Sequence, residues 1–274
     1  MLPTGVGFVK CGREKVFRGR LFSGRASRYN QGMDLGNKTA LVTGSTGKLT
    51  RVVCEALARA GMNMALHYHS NDTLARELKR TVEELGRRCG IYAFDLATPD
   101  GCESLAASVL KDFGGVDVLI HSAAVFEPAR LAATDDRRWQ KHLDLNVTAA
   151  FRMARALEAT FRTRDGAIVM MADIWGLRPK SGFLAYSVSK AALIALTKAL
   201  AEEFAPRTTV NAVAPGIIDF PDGFPDSIQD TVLGRVPTRR PGRHEEVAAV
   251  IVEILKNRYL TGQVIAVDGG RSLM

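Results

Sequence analysis

The sequence predicts a doubly wound α/β fold: a single Rossmann-type domain around a parallel sheet of about seven strands. Three observations lead there. From Lys38 onward, short β-branched runs alternate with longer helical patterns, which is the signature of successive βαβ units. No internal repeat or linker interrupts that alternation up to the last residue, so one domain accounts for it. The first strand-to-helix turn reads Thr43-Gly44-Ser45-Thr46-Gly47-Lys48-Leu49-Thr50, where glycine lets backbone approach a phosphate and a helix N-terminus offers unpaired N–H groups.

Taken in order, the first strand spans 39–43 and feeds a helix over 50–60. A second strand, 62–68, runs into a helix over 72–87, with Asp72 reading as the cap of a helix that begins at Thr73. Strands at 90–93 and 116–121 flank a helix over 100–113. One long helical pattern then covers 134–162, followed by a strand at 167–171 and an Ala- and Leu-rich helix over 184–205. The last strands, 209–213 and 264–267, enclose a helix over 243–256. Between them, 219–242 is rich in Pro, Gly and charge and reads as a mobile wall over a substrate. In such a sheet the ligand sits beyond the C-terminal ends of the strands.

Composition excludes several classes. With 46% hydrophobic and 24% charged residues the chain is neither low-complexity nor fibrous, and no run approaches the roughly 18 uninterrupted apolar residues of a membrane span. Cys11, Cys54, Cys89 and Cys102 form no C-x-x-C pair, which fits a reducing, cytoplasmic setting. His67 and His69 lack a neighbouring Cys or carboxylate cluster, so no metal is expected. The net charge of +8 is concentrated: residues 1–32 hold seven bases against Glu14, leaving +2 for the remaining 242 residues. A basic extension over 1–35 therefore precedes a domain over 36–274. It reads as an upstream in-frame extension ahead of Met33 or as a disordered basic arm. Both are preferred to an Arg-rich targeting peptide because there is no clear cleavage signature. No nucleic-acid partner is expected.

Tyr186-Ser187-Val188-Ser189-Lys190 places Tyr186 and Lys190 one helical turn apart, where an ammonium lowers a phenol's pKa and makes it a usable acid. Together with the glycine turn, Asp95-Leu96, Ser122-Ala123-Ala124, Asn146 and Pro215-Gly216, this pair resembles the short-chain dehydrogenase/reductase family over residues 36–274. The resemblance implies that Tyr186 is the general acid, Lys190 binds the nicotinamide ribose and tunes Tyr186, and Asn146 supports a proton relay. It further implies that Gly44, Ser45 and Leu49 form the phosphate turn, that Asp95 and Leu96 contact adenine, and that Ser122, Ala123, Ala124, Pro215, Gly216 and Ile217 line the cofactor. A homotetramer packed through 134–162 and 184–205 is implied as well, and the sequence itself shows these helices to be Ala-rich.

Cofactor choice follows from the second strand, which ends His67-Tyr68-His69-Ser70-Asn71 with no carboxylate where a ribose 2′-hydroxyl wants one. Lys48 adds a cation in the turn, so NADPH is expected, with His67 and His69 flanking the phosphate pocket or packing beneath it. Thirteen residues before Tyr186, where most of the family has a Ser, stands Asp173. An ionised carboxylate repels a developing oxyanion but suits a substrate nitrogen that gains a proton or an N–C–NH₂ edge. Asp173, Lys48-Leu49, Leu66-His67-Tyr68-His69 and Phe126 resemble the pteridine and dihydromonapterin reductases, in which a Phe stacks the pterin ring. Trp175 lines the same pocket or is a buried structural indole. Thr50 at the last glycine position of the turn, and Ser122 and Ala124 at cofactor positions, depart from the family pattern. The expected activity is hydride transfer to a C=N carbon of a dihydropterin. The alternatives are a carbonyl reductase of the 3-oxoacyl or sugar-alcohol type and a non-catalytic NADPH sensor.

Overall fold

The computed structural model describes residues 32–220, 223 and 225–274. The basic arm therefore lies outside the described residues, apart from its end. That end corrects the expected boundary: the compact unit begins at Gly32, Met33 and Leu35 are buried, and the Met33 N–H donates to the Lys256 carbonyl at 3.0 Å. Residues 33–35 belong to the domain because the Met33 and Leu35 side chains complete its core.

The elements run β1 (Thr39–Thr43), α1 (Lys48–Arg59), β2 (Asn63–Tyr68), α2 (Asp72–Glu84), β3 (Cys89–Ala93), α3 (Pro99–Phe113) and β4 (Val118–His121). Then come α4 (Asp136–Leu143), α5 (Ala149–Ala156), α6 (Glu158–Thr163), β5 (Ala167–Met171), α7 (Ile174–Leu177) and α8 (Leu184–Phe204). The chain finishes with β6 (Thr209–Pro215), α9 (Asp226–Leu233), α10 (His244–Lys256) and β7 (Val264–Val267). All seven strands form one parallel sheet in the order β3-β2-β1-β4-β5-β6-β7. The order reverses between β1 and β4, and the crevice at such a reversal is where these sheets bind ligands.

Burial on both faces explains why the strands read as continuous apolar runs. Along β1, Leu41 faces one core with α3, α5 and α8, while Ala40 and Val42 face the other with α1, α2 and α10. In β5, Ile168 and Met170 join the first core, and Ala167, Val169 and Met171 the second. The two-residue alternation of a strand does this sorting. By length and composition α8 would suffice to cross a bilayer, yet half of its apolar window is buried and it packs on β5 and β6.

Two expectations are corrected. The single helix over 134–162 is four pieces: α4, a π-helical turn at Asp144–Thr148, α5 and α6. The π turn holds Asn146, whose fully buried amide bonds the Val125 backbone and Ser189 instead of lying on a regular helical face. Asp72 does not cap α2. Asn71 does, accepting from the Leu74 N–H, while the Asp72 carboxylate takes the Tyr68 hydroxyl and Arg76. Within 219–242 the sequence reading found no regular element, and the structure places α9 there.

Candidate active site

The glycine turn lies between β1 and α1, where Gly44 adopts φ +65° and a Cβ on it would come within 2.8 Å of the Ala123 backbone. Only glycine fits such an approach without strain. Gly47 caps α1 with no side-chain hydrogen bond and the first turn carries no acid, so the helix N-terminus is left with N–H donors for an anion. Gly216 does the corresponding work after β6, where a Cβ would meet the Asp268 backbone at 2.7 Å. These close backbone contacts shape a cradle whose uncapped N–H donors at the start of α1 suit a pyrophosphate.

Several neighbours hold the cradle together from below. His67 is buried, its Nδ1 accepting from the Gly44 N–H at 3.2 Å and its Nε2 within 3.0 Å of the Phe94 carbonyl. That pairing requires the neutral ring, and burial drives its pKa down to about 4. Of the two readings offered for the histidines, His67 takes the one in which it packs beneath the turn; His69 and Ser70 are exposed at the end of β2. Ser45 is corrected as a cofactor contact: its hydroxyl and its N–H both donate to the His67 carbonyl, and it is fully buried. Leu96 is likewise a core side chain, and the Asp95 carboxylate accepts from the Ala97 N–H. Thr43 accepts from the Ser122 and Ala123 N–H groups and lies 3.2 Å from His121 Nδ1, tying β1 to β4. Thr50 finds a partner in Ser122, Oγ to Oγ at 2.8 Å, so its hydroxyl stitches α1 to the loop after β4. Lys48 forms an exposed ion pair with Asp219 at 3.1 Å. Ala124 is exposed beside this loop, Leu49 packs against the core, and the Ile217 carbonyl accepts from Gly242.

On the β5–β6 side the expected catalytic residues converge. Tyr186 Oη donates to Asp173 Oδ2 at 2.9 Å, and Asp173 Oδ1 accepts from the Trp175 N–H at 2.8 Å. Lys190 Nζ donates to the Met171 carbonyl at 2.6 Å and sits 5.7 Å from the centre of the Tyr186 ring. Tyr186 and Lys190 are 6% and 4% exposed, so burial dominates their acidity. It pushes the Lys190 ammonium down to about 8 against the opposing pull of Asp173. Burial, outweighing its hydrogen bonds and Lys190, raises the Asp173 carboxyl above the usual range. The expectation that Lys190 lowers the Tyr186 phenol is reversed: burial and then the Asp173 carboxylate hold it well above its ordinary value. An acid stands where a neutral hydroxyl would be, and its negative charge resists a phenolate beside it.

An aromatic slot borders this triad. Phe126 is 55% exposed, stacks on Phe183 with centroids 5.0 Å apart and on Trp175 at 5.7 Å, and meets the Tyr186 ring edge-on at 4.8 Å. Trp175 is half-buried and faces this cluster. Phe183 was missed in the sequence, although its place three residues before Tyr186 at the start of a helix was a usable signal.

A family profile described as enoyl-(acyl carrier protein) reductase matches residues 49–272. Nodulation protein G of a Rhizobium species is 32% identical over 247 residues, covering 88% of this chain and 99% of its own. The 3-oxoacyl-(acyl-carrier-protein) reductase FabG of Staphylococcus epidermidis is 32% identical over 240 residues, covering 85% and 98%. Among solved structures, NAD+-bound xylitol dehydrogenase superposes with a TM-score of 0.82 at 26% identity, covering 87% of this chain and all of that one. A blue fluorescent protein from a metagenomic library, in complex with NADPH, gives 0.81 at 28%, covering 87% and 99%. With that match, the seven-stranded sheet and the cradle at its reversal point, the chain belongs to the short-chain dehydrogenase/reductase superfamily of nicotinamide-dependent oxidoreductases.

Proposed function

We propose that the protein is an NADPH-dependent reductase acting on a C=N bond of a flat conjugated heterocycle of the dihydropterin class. The observation that carries this reading is the Asp173 carboxyl, hydrogen-bonded to the Tyr186 hydroxyl beside the Phe126, Trp175 and Phe183 rings. Burial raises the Asp173 pKa, so this carboxyl can share a proton with a basic ring nitrogen and accept from an N–C–NH₂ edge, a pairing that a ketone does not offer.

When bound, the nicotinamide supplies hydride to the C=N carbon. The chain's own residues do the rest. The rings of Phe126 and Trp175 offer stacking faces to a planar ring. Asp173 anchors an N–C–NH₂ edge and, with the Tyr186 hydroxyl, passes a proton to the nitrogen, so that C=N becomes CH–NH. Lys190 keeps a cation behind Tyr186 and in this reading binds the ribose, and Asn146 holds the Val125 backbone in register with α8. For cofactor choice, Asp72 is the first acid after β2, and it is already engaged by Tyr68 and Arg76, which leaves the 2′ position without a free carboxylate and favours a phosphate. Assembly as a homotetramer is part of the same proposal, with the exposed Phe151 on α5 and Val188 on α8 as apolar contacts.

A second reading is favoured directly by the relatives: reduction of a carbonyl, as the names 3-oxoacyl-(acyl-carrier-protein) reductase and xylitol dehydrogenase indicate for those proteins. In it Asp173 stays protonated and donates to the carbonyl oxygen. The deciding experiment is NADPH oxidation by the purified chain with a dihydropterin panel, a β-keto ester and a sugar ketone. Turnover confined to dihydropterins supports the first reading, and preference for a ketone replaces it with the second. NADPH binding with no turnover of anything overturns both.

A further inference from the structure

Next to Asp173 the surface opens into a cleft of about 420 Å³ whose walls carry Arg178, Lys180, Arg235 and Arg271. We infer that this cleft is an anion subsite, taking a carboxylate or phosphate tethered to the reducible group of the substrate. The inference rests on the reductase reading above and adds to it the class of substrate: one with an anionic tail.

Three observations carry it. The first is composition: no acidic side chain lines the cleft, and among the described residues none of the four cations is within ion-pair distance of a carboxylate. Asp268 stands near Arg271, but its carboxylate accepts the N–H groups of Gly270 and Ser272. The second is origin. Arg178 and Lys180 follow α7, Arg235 follows α9, and Arg271 opens the C-terminal 3-10 turn, so folding gathers like charges from three separate segments. Gathering them costs energy unless a ligand compensates. The half-buried Arg271 shows the cost, since burial and then the nearby Arg235 depress its pKa, while its Nη1 is steered by the Val232 carbonyl at 3.0 Å. The third is continuity. Trp175 belongs both to the cleft wall and to the aromatic slot, its ring centroid 6.1 Å from that of Tyr186. A substrate with its head group on Phe126 would therefore lead its tail past Trp175 toward the cations. Guanidinium groups hold carboxylates and phosphates through paired hydrogen bonds, which is the recognition this lining offers.

The test uses the full chain and two substrate pairs that share a head group and differ in charge. One is a dihydropterin with and without a glutamyl tail, and the other is acetoacetyl-coenzyme A against the neutral S-ethyl thioester of acetoacetate. The pair that is turned over tells a carboxylate source from a phosphate source. The charged member is expected to show a KM about 10-fold lower than the neutral one, and Arg178→Ala/Arg235→Ala should bring that ratio near one. Arg178→Lys/Arg235→Lys should retain most of the preference, which a purely structural role would not predict. Equal KM values within the pair, or a double variant that raises both alike, overturns the subsite. If neither head group is reduced, the reductase reading fails separately, and pyrophosphate titration read by tryptophan fluorescence then decides the subsite. Saturable quenching lost in the double Ala variant sustains it, and identical responses of the two proteins remove it.

Discussion

On the β1–β3 side of the crevice the polar groups satisfy one another: Gly44 with His67, Ser45 with the His67 carbonyl, and Thr43 with the loop after β4. On the β5–β6 side they do not balance. A carboxyl, a phenol and an ammonium are buried together, and their acidities are displaced by burial, with a cluster of unpaired cations alongside. The contrast separates a cradle, which must hold one shape, from a reaction site, whose groups are useful because their charges are incompletely compensated.

The sharpest way to break this comparison is Tyr186→Phe. It should lower kcat by about 1,000-fold while the Kd for NADPH, measured by fluorescence titration, stays within about 2-fold. A parallel loss of cofactor binding would mean that the two sides are not separate devices. Asp173→Ser comes next. Dihydropterin kcat/KM should fall by about 100-fold and ketone reduction by far less, and equal losses on both would remove the nitrogen-directed role.

On the cradle side Gly44→Ala forces a side chain onto a left-handed backbone against Ala123. It should cost about 1–3 kcal/mol in urea unfolding and weaken NADPH binding, with kcat at saturation little changed. Acid should act on the same region. The His67 pKa is depressed from 6.5 to about 4, so the unfolded chain binds the extra proton first and stability falls as pH drops through that window. The loss from His67 alone is about 3 kcal/mol, and His121, driven down to about 3, extends it to lower pH. His67→Gln should roughly halve the slope of the 6.5-to-4 limb of the stability profile, leaving the part due to His121. The smallest effect is expected at Lys48→Ala, which removes an exposed ion pair with Asp219 and should change stability by less than about 1 kcal/mol.

Much of this molecule was readable because its signals are local. The limits of β1 and β5 follow from runs of residues buried on both faces, and the Tyr186–Lys190 spacing from one turn of α8. Asp173 stood out by its distance from Tyr186, and the two do meet. Roles that depend on partners far along the chain were not readable. Ser45 and Leu96 turned inward because His67 and the core claimed them, and Lys48 met Asp219 across 171 residues of sequence. The π turn at Asn146 exists to meet Val125 and Ser189, so a regular helical period concealed it.

The sequence by itself determined the succession of the seven strands, the glycine turn and the one-turn spacing of Tyr186 and Lys190, since each rests on short stretches of backbone. Only the tertiary structure decided the direction of the Tyr186 acidity, the aromatic slot with Phe183 and the convergence of four cations beside Trp175. Burial and charge act through space, and distances in space are set by how the sheet brings remote segments to one edge.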